Sequence, residues 1–196
     1  MFGARQRNEI GIFMLIEILC TGDEVLTGKT VNTNYSHMAR RFGEVGLTMH
    51  WSTVVGDDRS CLATAFQQAS QRADAVIVNG GLGPTVDDLS QEVAAEAAGV
   101  GLILDENWLS RMLDFYERRG RTMPPNNKKQ AMLPEGAEFI DNPIGTACGF
   151  AINIGSARFF FTPGVPREMR KMIDEQLSLI HISEPTIRYA SSYAVI

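Results

Sequence analysis

Short apolar runs alternate, along the first half of the chain, with segments in which apolar residues recur at every third or fourth position. The runs Leu15–Cys20, Leu47–Val55 and Ala73–Val78 have the length and composition of buried β-strands. Between them, Asn32–Val45 and Asp58–Gln71 carry apolar side chains at helical spacing, which predicts two amphipathic helices. This order of elements predicts strands that run parallel in one sheet.

The second half of the chain contains longer helical segments and shorter strands. Helices are predicted at Leu89–Ala98, Glu106–Arg119 and Val165–Gln176, with a short helical stretch at Asn127–Met132. Strands are predicted at Phe139–Ile140, Gly149–Ile154 and Arg158–Phe161, the last two joined as a hairpin. The fold class is therefore α/β, with a mainly parallel sheet covered on both faces and an antiparallel addition late in the chain.

Three polar loops follow predicted strands of this sheet. They begin with Thr21-Gly22, with Gly56-Asp57 and with Asn79-Gly80. In open α/β sheets, ligands bind beyond the carboxyl ends of the strands, where such loops meet. We therefore expect the three loops to converge on one edge of the sheet and to form a ligand site there.

The third loop, "NGGLGPTVDD", has the composition of a phosphate cradle. Gly80, Gly81 and Gly83 can turn successive backbone N–H groups toward an anion, and Thr85 adds a hydroxyl donor. Thr21 and Gly22 of the first loop are further candidate donors. The predicted ligand is a small phosphorylated molecule.

Acidic residues accompany the cradle in all three loops. Asp87 and Asp88 beside an anion suggest a divalent cation between carboxylate and phosphate; alternatively they cap the next helix, and we expect one of them to do so. The loop that contains Asp57 and Asp58 has the same two interpretations. Asp23 and Glu24 are secondary acidic candidates, either as helix caps or as cation ligands.

Composition bounds the class of protein. With 196 residues, 44% of them hydrophobic, and a formal net charge of −5, the chain suits one globular domain and lacks the basic surface typical of nucleic-acid binding. Three widely spaced cysteines indicate a reducing compartment, so we expect a cytoplasmic protein. No apolar run reaches the ~18 residues that span a membrane, so no membrane partner is expected.

The boundaries of the domain follow from the same patterns. We place one domain at residues 14–176, preceded by an extension at residues 1–13. Residues 177–196 have no clear period and resemble sequence translated from a cloning adapter, so we expect this tail to be non-native; the alternative is a genuine C-terminal extension.

Several motifs in the same order resemble the N-terminal domain of the competence/damage-inducible CinA family. They are "CTGDEVLTG", "VVGDD", "VNGGLGPTVDDLS", "NNKKQAMLPEGAEFIDNPIGTACGF" and "FFTPGVPREM". The resemblance runs from about Met14 to about Gln176. It implies a three-layer α/β/α sandwich like that of the molybdopterin-binding proteins MogA, MoaB and gephyrin, and a homo-oligomer.

The resemblance also implies an activity. CinA-type domains of this class are associated with metal-dependent ADP-ribose pyrophosphatase activity. Carried over motif by motif, Gly80, Gly81 and Gly83 fall on the phosphate loop and Asp88 on the aspartate at its end. Asp57 falls on a second acidic position after an earlier strand, and the two aspartates are the expected catalytic residues. Together with Asp87, these two aspartates are the expected ligands of a divalent cation, Mg, Mn or Co.

Two further expectations qualify that activity. The alternative to the hydrolase is a non-catalytic module that binds molybdopterin or a nucleotide. The "GPTVDD" loop departs from the pattern of the pterin-binding group, so pterin specificity does not follow from the resemblance. Nicotinamide mononucleotide deamidation belongs to a separate C-terminal domain in the family. This sequence ends before any counterpart of that domain, so no deamidase activity is expected from it.

Overall fold

The computed structural model describes residues 14–177. The predicted extension, residues 1–13, and the predicted tail from residue 178 onward lie outside this range. The described strands are β1 Ile16–Thr21, β2 Met49–Val55, β3 Ala75–Asn79, β4 Leu102–Leu104, β5 Met132–Pro134, β6 Glu138–Ile140, β7 Gly149–Ile154 and β8 Ala157–Thr162. The described α-helices are α1 Asp23–Leu26, α2 Thr33–Glu44, α3 Arg59–Arg72, α4 Ser90–Ala98, α5 Glu106–Glu117 and α6 Pro166–Met172.

Six strands form the central sheet, in the order β2-β1-β3-β8-β7-β6. The first four run parallel to their neighbours, whereas β7 and β6 add antiparallel strands at one side. This arrangement confirms the predicted mainly parallel sheet and its late antiparallel addition. A separate two-stranded antiparallel sheet pairs β4 with β5.

Helices cover both faces of the central sheet, and the alternation of side chains along β1 shows why. Ile16, Ile18 and Cys20 pack with residues of α2 and α6, whereas Leu19 packs on the opposite face with residues of α3, α4 and α5. Successive side chains of a strand point to opposite faces, so a run that is apolar at nearly every position needs a helical layer on each side. The predicted three-layer sandwich is confirmed.

The sequence pattern missed three short elements and misplaced two others. Helix α1 and strands β4 and β5 have only three or four residues each, too few to show a period. The helical stretch predicted up to Met132 is a 3₁₀ helix at Pro125–Ala131, and Met132 itself begins β5. The last predicted helix changes at Ile173 from an α-helix to a π-helical turn.

No helix among residues 14–177 is both long and apolar enough to cross a membrane.

Candidate functional site

The loops after β1, β2 and β3 meet in one cavity of about 460 Å³, which we call the acidic cavity. The predicted phosphate-binding residues that line it are Thr21, Gly22, Gly80, Gly81 and Gly83, and the predicted acidic residues that line it are Glu24, Asp57, Asp87 and Asp88. The loops at residues 146–147 and 163–165 complete its wall. The predicted convergence on one sheet edge is confirmed.

Two of the loop glycines allow approaches that a side chain would block. Gly80 has φ +113°, and a Cβ atom there would lie 2.4 Å from Thr21 Oγ1. A Cβ atom on Gly83 would lie 2.3 Å from Asp88 Oδ2. Both distances are far inside van der Waals contact, so glycine is required at these positions if the loop keeps this shape.

Thr21 places a buried hydroxyl group on the cavity wall. The residue is only 7% exposed, and its Oγ1 atom has no hydrogen-bond partner among the described residues. Buried polar atoms without a partner are uncommon, because an unmade hydrogen bond costs about 1–3 kcal/mol. Because the Oγ1 atom is itself buried against Gly80, a ligand oxygen in the cavity becomes its partner only if the loop at Gly80 shifts.

Asp88 organises the loop that carries it. Its Oδ2 atom accepts a hydrogen bond from the backbone N–H of Thr85 at 2.9 Å and another from the Thr85 hydroxyl group. Thr85 therefore points its hydroxyl at Asp88 and does not line the cavity, so its predicted phosphate contact has no support from its position. Asp88 Oδ1 accepts no hydrogen bond from the described residues.

The expectation that one aspartate of the pair caps the following helix is wrong. Helix α4 begins after Leu89, and no side chain caps its first turn. Ser90 connects this helix start to the glycine loop instead, because its N–H group donates to Gly81 O at 3.1 Å and its hydroxyl group donates to Gly80 O at 2.9 Å. Asp88 therefore takes no part in capping α4, and Asp87 is exposed and lines the cavity.

The adjacent aspartates Asp57 and Asp58 have different roles. Asp58 caps α3 by accepting from the N–H group of Cys61 at 2.9 Å, and hydrogen bonds from Ser60 and Cys61 lower its pKa to about 2. Asp57 lines the cavity, where burial, and then the nearby carboxylates, raise its pKa. The capping interpretation therefore holds for Asp58, and Asp57 lines the cavity without capping the helix.

Asp57 is held by a reciprocal pair of hydrogen bonds with Asp23. The N–H group of Asp23 donates to Asp57 Oδ2 at 3.1 Å, and the N–H group of Asp57 donates to Asp23 Oδ1 at 3.2 Å. These bonds connect the loop after β1 to the loop after β2. Asp23 therefore acts on the site by positioning Asp57, and it is not among the residues that line the cavity. Glu24, the other secondary candidate, does line it.

Charge defines the cavity. Five carboxylates line it, those of Glu24, Asp57, Asp87, Asp88 and Glu168, and none of its described lining residues is a lysine, arginine or histidine. A phosphate group alone would be repelled by this surface. A phosphate that arrives with a divalent cation would not be, because carboxylate and phosphate oxygens are both hard ligands.

The side chains that could hold such a cation are close to one another without forming a complete site. Within residues 14–177, no group of three or more His, Cys, Asp or Glu side chains is arranged to bind a metal ion. Mg²⁺ commonly binds through one or two carboxylates together with substrate phosphates and water. A cation held by these carboxylates would therefore need further ligands from water or from a bound phosphate.

A network of buried amide side chains behind the site was not predicted. Asn79 ends β3, and its Nδ2 atom donates to Thr162 Oγ1 at 3.1 Å and to Pro163 O at 2.7 Å. Asn34 donates to Asn79 Oδ1 and to Gly164 O, each at 2.8 Å. This buried amide network fixes the carboxyl ends of β3 and β8 against α2. Of these residues, the sequence had singled out Asn79 as the start of a polar loop, but not its amide contacts.

Glu168 was also missed. It lies in the first turn of α6, and Asn142 Nδ2 donates to its Oε2 atom at 2.8 Å. Burial raises the pKa of this carboxyl group. In the sequence, an acidic residue shortly after a proline is indistinguishable from an ordinary favourable helix start, so no signal marked it as a site residue.

Comparison with known proteins identifies relatives of the whole domain. Residues 17–184 match the family model described as "Probable molybdopterin binding domain". A "CinA-like protein" of Escherichia coli O9:H4 (strain HS) is 51% identical over 162 residues, which are 83% of this chain and 40% of that protein. The "NMN amidohydrolase-like protein YfaY" of Escherichia coli K12 matches with the same identity and coverage. The chain thus spans 40% of the length of these relatives.

Solved structures extend the comparison to the fold. The crystal structure of a protein CinA of unknown function from Thermoplasma acidophilum has a TM-score of 0.76 at 33% identity, and the match covers 85% of this chain and 98% of that one. The molybdopterin biosynthesis enzyme MoaB of Thermus thermophilus has a TM-score of 0.59 at 16% identity, with 85% and 91% covered, and supports the fold alone. The resemblance that the sequence motifs indicated is confirmed.

Proposed function

We propose, from the premise that this chain belongs to the family of the "Probable molybdopterin binding domain" and within it to the CinA-like proteins, that the acidic cavity binds and hydrolyses a nucleotide pyrophosphate such as ADP-ribose. The glycine loop would hold a phosphate, and Asp57 and Asp88 would be the catalytic carboxylates. Asp57, Asp87 and Asp88 would share a divalent cation, Mg, Mn or Co, with the ligand.

The observation that carries the proposal is the unsatisfied hydroxyl group of Thr21. It is buried in the wall of a cavity that also contains the glycine loop, and no described residue accepts from it or donates to it. Its position opposite Gly80 places a hydrogen-bond donor where the loop has no Cβ atom. After a small shift of the loop at Gly80, a phosphate oxygen would satisfy the hydroxyl and also accept from backbone N–H groups of the loop.

The carboxylates support turnover as well as binding. A cation bound with the phosphate would neutralise its charge and make the phosphorus atom more electrophilic. Asp57 has a raised pKa, which suits a group that accepts a proton from an attacking water molecule more than the strongly acidic Asp58 does. Asp88 would act from the glycine loop through its Oδ1 atom, which accepts no hydrogen bond from the described residues.

A second candidate function is binding without turnover. It is favoured by the finding that no three metal-ligating side chains converge among residues 14–177. In that case the cavity would recognise a molybdopterin or a nucleotide.

The test is to incubate the purified protein with ADP-ribose and with Mg²⁺, Mn²⁺ or Co²⁺ in turn, and to follow AMP release by chromatography with an EDTA control. The decisive variant is Asp88→Asn, which keeps an oxygen that can accept from Thr85. The expected loss of turnover is about a hundredfold or more, in the range of lost catalytic acid–base groups. The matched control is Asp58→Asn, because Asp58 is an aspartate of a neighbouring loop that caps a helix outside the cavity.

The outcomes separate the two functions. Metal-dependent AMP release that is lost in Asp88→Asn and kept in Asp58→Asn supports the hydrolase. Equal activity of the two variants would remove Asp88 from the catalytic set. Absence of AMP under every metal, combined with an increase in melting temperature on adding ADP-ribose and a cation, would favour the binding module.

A further inference from the structure

A second cavity, of about 480 Å³, lies beside the acidic one. It is formed by α5, by the loop at residues 142–145 and by the start of α6. Val165 and Glu168 line both cavities, so the two are neighbours across these side chains. We call the second one the arginine cavity, after Arg111, Arg118, Arg119 and Arg167 in its wall.

The charge of the arginine cavity is opposite to that of its neighbour. Four arginines line it against two carboxylates, those of Asp114 and Glu168. Arg111 is engaged elsewhere, because it forms an ion pair with Asp141 at 2.7 Å and lies over the Trp108 ring at 4.8 Å. Arg119 lies over the Phe115 ring at 3.4 Å and donates to the carbonyl oxygen of Phe115.

Arg118 and Arg167 differ from these two arginines in the bonding of their guanidinium groups. Neither guanidinium group has an ion pair or a side-chain hydrogen bond to a described residue, although both lie in the wall of the same cavity. Exposed arginines without partners are ordinary on a convex surface. In a concave site, next to a predicted phosphate cradle, they provide forked donors that match the oxygens of a phosphate or carboxylate group.

We infer that the arginine cavity holds the second phosphate-bearing half of the ligand whose first phosphate binds in the acidic cavity. The ligand would pass Val165 and Glu168 at the boundary between them. The first phosphate needs a cation there, whereas the second is neutralised by Arg118 and Arg167. The inference rests on the proposed phosphate site, but it does not require that the ligand is hydrolysed.

The experiment compares a ligand with one phosphate and a ligand with two, under conditions without turnover. AMP and the α,β-methylene analogue of ADP-ribose, whose bridge resists hydrolysis, are titrated into the protein with Mn²⁺ by calorimetry. The analogue is expected to bind about tenfold or more tightly than AMP, as one additional charge-assisted interaction would provide. Arg118→Ala and Arg167→Ala are each expected to remove most of this difference while leaving the affinity for AMP unchanged.

Arg121→Ala is the matched control, because Arg121 is an exposed arginine of the same segment that does not line the cavity. It should bind both ligands as the unchanged protein does, and thermal melting should show all three variants folded. Equal affinity for the two ligands would overturn the inference, and so would a loss in Arg118→Ala that is the same for AMP and for the analogue. A lack of binding by either ligand would overturn it together with the phosphate site.

The result is distinguishable from failure of the proposed hydrolysis. Selective loss of analogue binding in the arginine variants supports the inference even if no AMP is released from ADP-ribose. Conversely, AMP release with unchanged analogue binding in those variants supports the hydrolase and overturns the inference.

Discussion

The acidic cavity and the arginine cavity share a boundary and carry opposite charge. The first combines five carboxylates with glycine backbone, and the second presents four guanidinium groups. Both contain groups that bind phosphate, but the electrostatic interactions that would hold the phosphate differ. Backbone N–H groups surrounded by carboxylates need a cation to offset repulsion, whereas guanidinium groups attract the anion directly. Neighbouring sites of one protein can therefore depend differently on metal ions.

Their structural origins differ as well. The acidic cavity is built on the ends of parallel strands, and hydrogen bonds between loops hold Asp57 and the glycine loop at the sheet edge. The arginine cavity uses long side chains at the end of α5 and the start of α6. We expect the first to be the more rigid and more easily damaged by small changes, because it depends on backbone shape.

Removal of divalent cations should give the largest difference in ligand binding between the two cavities. With EDTA, the chemical-shift changes that a pyrophosphate ligand causes in two-dimensional NMR are expected to vanish at Gly80, Gly81 and Thr21 and to persist at Arg118 and Arg167. The physical reason is the absence of a basic side chain among the described lining residues of the acidic cavity. Persistent shifts at the glycine loop without a cation would contradict this comparison.

Gly80→Ala should give the next largest effect. The new Cβ atom would lie 2.4 Å from Thr21 Oγ1 at a φ of +113°, so the loop must move. We expect nucleotide affinity to fall by about tenfold to a hundredfold and the free energy of unfolding to fall by about 1–3 kcal/mol. Calorimetry and urea unfolding measure the two quantities.

Gly99→Ala is the control for this change. Gly99 also has a positive φ, +71°, but a Cβ atom added there would meet no other atom within 4 Å. It ends α4 away from the cavity, so the change should cost about 1 kcal/mol of stability and leave ligand affinity unaltered. An equal loss of affinity in both variants would show that backbone strain alone, rather than the shape of the cradle, reduces binding.

Thr21→Val should separate binding from stability. Because the Thr21 hydroxyl group lacks a partner among the described residues, its removal is expected to keep or raise the free energy of unfolding by about 0–1 kcal/mol, while nucleotide affinity falls by about fivefold to tenfold. Urea unfolding and calorimetry provide the readout. A marked loss of stability would mean that the hydroxyl is already satisfied in the folded protein.

Thr162→Val is the matched control. The Thr162 hydroxyl group is buried, donates to Val78 O and accepts from Asn79, so its loss should lower the free energy of unfolding by about 1–3 kcal/mol. The two substitutions should therefore change the free energy of unfolding in opposite directions.

The smallest expected effect is the pH dependence of the folding stability of the metal-free protein. Burial raises the pKa of Asp57 above its ordinary value of 3.8, so its protonated form favours the folded state. Its contribution to stability should decrease as pH rises from 3.8 through the raised pKa. Asp58 should behave oppositely, with a contribution present above 3.8 and lost as pH falls toward its pKa of about 2.

Carbonyl-detected NMR titration measures both aspartates in one sample. Asp57→Asn should remove the decrease in stability on the alkaline side of pH 3.8 and leave the Asp58 titration in place. If the two carboxyl groups titrate together, the contrast between a cavity residue and a helix cap would be lost.

Part of this site could be read from the sequence, because parallel strands place the loops at their carboxyl ends on one edge. Three loops that are far apart in the chain were thus expected together, and the residues Thr21, Asp57 and Gly80 do meet. Thr85 was placed correctly in its loop, but the direction of its hydroxyl group was not predictable, since it depends on the turn that Asp88 closes.

The arginine cavity had a weaker signal. The sequence has one dense basic region, which is typical of a solvated face and is also compatible with contacts to nucleotide phosphates; it contains Arg118, Arg119, Arg121, Lys128 and Lys129. Only the packing of α5 beside the loop at residues 142–145 turns Arg118 toward the same space as Arg167. Glu168 was missed for the same reason, because the sequence at the start of a helix does not show which cavity lies next to it.

The sequence by itself determined the alternating strands and helices, the two covered sheet faces and the glycine-rich loop that lies at the sheet edge. Hydrophobic periodicity and backbone freedom are local properties, so they can be read along the chain. Tertiary structure alone decided that Asp57 faces the cavity while Asp58 caps a helix, that the Thr21 hydroxyl has no partner among the described residues, and that the acidic and arginine cavities meet at Glu168. These outcomes depend on distances between residues far apart in sequence, which only the packed fold defines.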